Sequence, residues 1–117
     1  MRSLTAFILM AAPLAAQDMD MVTDPALCEF RAGPDRYEMG LTLNETGMEE
    51  IEFYCQWEIL DQIDWSFDQI QVRLGHCGEP GILKPEMFLF RTSNFEPGVL
   101  YLHMRDSDEP TVFHSCR

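Results

Sequence analysis

Between Ile51 and Ile59 every odd position is apolar (Ile51, Phe53, Cys55, Trp57, Ile59), and Glu52, Tyr54, Gln56 and Glu58 fill the gaps. A period of two is the mark of a strand with one buried face, and a helix cannot keep such a row on one side. The stretch Met48–Ile59 therefore predicts a long half-buried strand, with Cys55 and Trp57 on its inner side.

The same period recurs along the chain. Tyr37, Met39, Leu41 and Leu43 alternate with polar or small residues; so do Ile70, Val72 and Leu74. Val99–Met104 and Thr111–Cys116 read as a closing hairpin around Asp106–Pro110, and Ala26–Arg31 as a short strand carrying Cys28 and Phe30. Glu86–Arg91 has apolar residues on both faces (Met87, Phe88, Leu89, Phe90), the pattern of a strand buried on both sides. Turn chemistry separates these segments: Gly33-Pro34-Asp35, Asn44-Glu45-Thr46-Gly47, the run Gly75–Gly81, and Pro97-Gly98, which suits a type II turn. No segment shows a helical period. About seven short strands between turns predict an all-β fold, a small antiparallel β-sandwich or barrel.

Matching apolar faces gives expected registers. Leu41 opposite Ile51 puts Met39 against Phe53 and Tyr37 against Cys55, with Asn44–Met48 as the loop. Trp57 opposite Ile70 puts Cys55 against Val72 and Phe53 against Leu74. The opening strand would then be the middle of a meander.

The first sixteen residues read as a secretory signal: Arg2, the short apolar run Leu4–Ala12, then Pro13-Leu14-Ala15-Ala16 before Gln17. Residues 17–25 are expected to be a flexible arm and 26–117 a single β-domain. Met19 and Met21 in that arm are a weak copper(I) pair. No apolar run is long enough for a membrane-spanning helix. After cleavage the expected product is periplasmic or secreted, without membrane insertion.

Four cysteines remain beyond the leader: Cys28, Cys55, Cys77 and Cys116. An even number in a small exported chain predicts two disulfides, and no two cysteines have the spacing of a zinc site. Three pairings are open to the spacing; the expected one is Cys28–Cys55 with Cys77–Cys116, each tying one half of the chain.

Charge narrows the partners. The chain has twenty acidic and eight basic residues, a net charge of −12. Loss of residues 1–16 removes Arg2 and no acid, leaving −13. Such a surface repels phosphate backbones and anionic lipid, which argues against nucleic acid, and it can steer toward a basic protein.

Candidate sites are few. With Asp106 opposite Thr111, His103 would face His114, and with Asp106 or Glu109 nearby the pair could ligate zinc or copper. The acidic loop Asp106–Glu109 lacks the ordered spacing of a calcium loop. Ser115 adjoins His114, but neighbours on a strand point to opposite faces, and no Gly-x-Ser-x-Gly elbow exists. Glu50 and Glu52 project together as surface carboxylates of the kind a small hydrolase would need. Ile63, Trp65 and Phe67, among Asp61, Asp64 and Asp68, have the composition of an interface core and rim. No cofactor motif is present. The expected role is a non-catalytic module binding another envelope or extracellular protein. Metal binding through His103, His114 and Asp106 is the alternative, and hydrolysis a weaker one.

Overall fold

The computed structural model of the protein describes residues 19–29 and 40–116. The expected leader at 1–16, the expected Gly33-Pro34-Asp35 turn and the Tyr37–Met39 part of the expected second strand lie outside them. The all-β expectation holds, and the form is a barrel. Eight antiparallel strands close in chain order, with β8 bonded back to β1. They are β1 (Met21–Val22), β2 (Thr42–Asn44), β3 (Gly47–Glu50), β4 (Phe53–Trp57), β5 (Gln69–Glu79), β6 (Ile82–Thr92), β7 (Val99–Met104) and β8 (Thr111–Ser115).

The barrel closes through a segment expected to be a flexible arm. Met21 pairs with Leu43 on one side and Ser115 on the other, so β1 fills the seam between β2 and β8. Without it both strands would expose unpaired backbone edges. Met19, Met21 and Val22 are buried, which removes the thioethers from any surface copper site. Pro25–Glu29 forms a 3-10 helix, not the expected strand. Asp24 starts it: its carboxylate accepts the Ala26 amide at 3.0 Å and its carbonyl the Leu27 amide at 2.8 Å.

The stretch Met48–Ile59 is two strands, not one. Asn44 Oδ1 accepts the Thr46 amide at 2.9 Å, tightening a two-residue turn that sets Leu43 opposite Met48, where Leu41 opposite Ile51 was expected. A second turn at Ile51-Glu52 separates β3 from β4, with Glu50 opposite Phe53 and Glu52 at a φ of 58°. The inward phase of β4 is as expected from the sequence: Cys55 and Trp57 are buried and Phe53 partly so. Trp57 is the centre of the interior, 4.9 Å from Phe88 and 4.8 Å from Phe90 between ring centroids. Its Nε1–H donates to the Glu45 carbonyl at 3.1 Å. Leu100, Leu102, Phe113, Met21, Leu43 and Met48 complete the packing.

The β4–β5 register departs from expectation by five positions: Trp57 lies opposite Gly75 and Cys55 opposite Cys77. Gly75 is required there. A β-carbon would overlap the Gln56 carbonyl oxygen and sit 2.9 Å from Trp57 Cα, and backbone cannot step aside. A slip by an odd number reverses the faces of a strand. Ile70, Val72 and Leu74 therefore point outward, and Gln69, Gln71 and Arg73 inward.

The cause is the 58–68 connection, which folds back across the inner side of β5. Gln69 Oε1 accepts the Asp64 amide (2.9 Å), and Gln71 both accepts the Asp61 amide (2.7 Å) and donates to its carbonyl (3.1 Å). Arg73 Nε donates to the Ile59 carbonyl at 3.1 Å. Loop backbone next to a core needs such partners, and the polar side of β5 supplies them. β6 is likewise not buried on both faces: Phe88 and Phe90 point in, while Met87 is exposed.

The disulfides are Cys28–Cys116 and Cys55–Cys77, which corrects the expected pairing. Cys55 and Cys77 are direct cross-strand partners with Cα atoms 4.0 Å apart. Closure of the barrel brings Cys28 to within 5.4 Å of Cys116, across a sequence separation of 88. Proximity here follows strand pairing, so tying halves of the chain was the wrong criterion. Two disulfides and no free cysteine fit an oxidising, non-cytoplasmic environment. No helix among the described residues is long and apolar enough to cross a membrane.

Candidate functional site

The two ends of the barrel are built differently. At one end the 58–68 connection is a plug. Leu60 and Ile63 are buried and Trp65 packs against the core, leaving Phe67 exposed. Of the three residues expected to contact a partner, Ile63 is 6% exposed and Phe67 63%. Ile63 and Trp65 thus fill the barrel, and Phe67 alone of the three stands fully at the surface. Asp64 caps the adjoining turn: its carboxylate accepts from the Ser66 hydroxyl and amide, and these bonds hold its pKa below the usual 3.8.

The expected metal constellation does not assemble. β7 and β8 pair Val99 with His114 and Leu102 with Thr111, four positions from the register that would set His103 against His114. An even slip keeps both imidazoles on the outer face but separates them by about 13 Å along the strands. His103 lies opposite Leu89, and its Nε2 accepts from Arg91 Nε at 3.3 Å. Asp106 pairs with Lys84 at 3.9 Å. Among the described residues no group of three His, Cys, Asp or Glu could hold a metal ion. Glu50 and Glu52 fall at the β3 end and in the β3–β4 turn, on a hairpin tip.

The structure places other residues on display. Outward positions of β5 carry Ile70, Val72 and Leu74, which are 66%, 50% and 62% exposed. Leu74 lies opposite Met87, itself 46% exposed, and Val72 opposite the half-buried Leu89. At the hairpin tip Leu83, on the same outward phase, and Ile82, on the opposite one, are also exposed. Its flank on β6–β7 is polar: the Arg91 guanidinium lies 4.3 Å from the Tyr101 ring centroid, and the Tyr101 hydroxyl donates to the Glu96 carboxylate at 2.9 Å. That bond, before the weaker effect of burial, raises the Tyr101 pKa above its ordinary 10.0. The sequence shows these aliphatics clearly; what it hides is the face they occupy.

Around the tip the barrel is open. A mouth of about 340 Å³ is lined by Phe53, Cys77, Gly78, Glu79, Ile82, Lys84, Glu86 and Met104. A second hollow of about 480 Å³ adjoins it, sharing Phe53, Gly78 and Glu79, with Glu49, Glu50 and Glu52 on its walls. The open end thus combines apolar tips at Ile51, Ile82 and Leu83 with a fringe of carboxylates.

Fold and site together define a small, disulfide-linked, closed antiparallel barrel with an apolar outer row and one acidic open end. No protein family, curated protein or solved structure matches the chain.

Proposed function

We propose that the protein is an exported, non-catalytic binding module whose partner is a basic envelope or extracellular protein, held by the outer face and tip of the β5–β6 hairpin. One observation carries the reading: the aliphatic row Ile70, Val72, Leu74 and Met87 faces solvent on consecutive outward positions of paired strands. Single exposed aliphatics are ordinary on protein surfaces, but a contiguous row on a sheet face is what interaction surfaces expose. The outward side chains of this row supply the contact in this reading.

The net charge of −12 selects the partner's sign. It speeds encounter with a basic surface and keeps copies of this chain apart despite the exposed row. Export fits the two disulfides together with the charged, apolar and small-residue order of residues 1–16.

The test is capture from an envelope or culture-fluid fraction of the source cells, with disulfides intact, comparing the native chain with a Val72→Asp, Leu74→Asp variant. Both side chains are exposed, so the variant should fold. A basic protein held by the native chain, released by salt and not held by the variant, is the expected result. Equal capture by both chains would sink the assignment of this face.

A further inference from the structure

We infer that the open mouth of the barrel receives one basic side chain of the partner, a lysine or arginine, with its cation on the Glu86 carboxylate. This rests on the reading above that the partner is a basic protein, and it names the contact that reading lacks.

Glu86 occupies an inward position of β6, two residues before Phe88, and is 7% exposed. Its cross-strand partner is Gly75, which offers no side chain to cover or bond it. Among the described residues it accepts a single hydrogen bond, from the Met87 amide to Oε1 at 3.2 Å. A carboxylate can accept about four, so most of its acceptor capacity is left for solvent or a ligand. Glu86 lines the mouth, so its remaining acceptor capacity is open to that cavity.

Among the described residues no cation pairs with Glu86. Lys84, the only lysine in the chain, stands at the lip with its side chain 60% exposed and its Nζ 3.9 Å from Asp106. Phe53, Ile82, Met104 and Cys77 line the mouth with Glu86, together with Glu79 and Lys84. A largely apolar lining that carries the Glu86 and Glu79 carboxylates complements an alkyl stem ending in a cation. An anion would be repelled, and a neutral apolar group would leave the carboxylate unmet. At about 340 Å³ the mouth lies at the small end of ligand sites, suited to a side chain more than to a large cofactor. Attraction between the charges is stronger at a carboxylate only 7% exposed than on open surface.

The experiment is a nuclear magnetic resonance titration of the disulfide-intact, ¹⁵N-labelled protein with n-butylguanidinium and n-butylammonium, and with n-butylurea as neutral counterpart. Saturable shifts centred on the amides of Cys77, Glu86, Met87 and Met104 are expected with at least one cation and not with the urea. Glu86→Gln, which preserves shape, should weaken the cation about tenfold or more, the loss expected of a charge-assisted bond. Equal affinity in Glu86→Gln, urea binding as well as the cations, or no shift at the mouth would each overturn the inference. The Val72→Asp, Leu74→Asp variant should bind the cation like the native chain. Failure of the outer-face reading would therefore show in capture alone, and failure of the pocket in the titration alone.

Discussion

The two ends of this barrel solve the same problem in opposite ways. A closed sheet leaves an opening at each end, and at one of them the β4–β5 connection turns inward, burying Leu60 and Ile63 under a lid bonded to Gln69, Gln71 and Arg73. At the other, tight turns end the strands without covering the interior, and Glu86 is left looking into a mouth. The plugged end spends its apolar residues on stability. The open end, with carboxylates around it, leaves the apolar side chains of Ile51, Ile82 and Leu83 in water. Residues that a structure does not need are where a partner is best sought.

The largest expected effect separates closure from the mouth. Removing the Cys28–Cys116 bond, as Cys28→Ala with Cys116→Ala, frees a loop spanning 88 residues and should cost about 4.6 kcal/mol by the loop-entropy relation. Removing Cys55–Cys77, with a separation of 22, should cost about 3.4 kcal/mol. The second loss should also loosen a wall of the mouth and weaken cation binding, which the first should leave intact. Denaturant melts together with the cation titration check both; equal effects on the mouth would erase the distinction between the ends.

Within the plug, Ile63→Ala should destabilise by about 3 kcal/mol, as truncation of a buried aliphatic does. Phe67→Ala, six-tenths exposed, should fall within about 0.5 kcal/mol of the native chain. If the two variants melted alike, the 58–68 connection would not be a plug.

At the open end Glu52 holds a positive φ of 58°, a conformation that disfavours any residue with a β-carbon. Glu52→Gly should raise stability by about 1 kcal/mol while removing a carboxylate from the fringe. Lower capture of the basic partner alongside a higher melting point would show that the open end holds charge at the expense of stability.

The smallest effect concerns Tyr101. Its hydrogen bond to Glu96 raises its folded pKa above 10.0. The stability this bond contributes is therefore complete below the unfolded value and fades as pH rises through the folded one. Ultraviolet titration should show Tyr101 ionising late, and Glu96→Gln should bring it earlier. A titration unaltered by Glu96→Gln would remove the bond from the solution structure.

Much of the fold was legible in local chemistry. The hairpin of Val99–Met104 with the segment from Thr111 stands where alternation put it, and the Pro97-Gly98 turn has Gly98 at a φ of 85° with the Val99 amide bonded to Glu96. The inward phase of β4 was readable because Trp57 and Cys55 have few comfortable places except a core. The candidate site was less legible. Trp65 and Ile63 looked like contacts because aromatics ringed by aspartates look the same whether they cap a barrel or meet a partner. Glu86 gave no signal at all: an acid beside a strand of aromatics reads as one more solvent residue until its partners are counted. The His103–His114 pair failed because a slip of four residues preserves every face and so leaves the apolar pattern unchanged.

By itself the sequence determined that the chain is all-β, where most of its strands and turns lie, and that four cysteines would be cross-linked. Only the tertiary structure decided which face of β5 meets water, which cysteines meet, and that Met21–Val22 closes the seam. The physical reason is common to all three. Alternation carries a period but no phase, and phase is set by whatever lies against the strand. For β5 that is the 58–68 connection, whose backbone needed polar partners and took the side holding Gln69, Gln71 and Arg73, leaving the aliphatic side to face solvent.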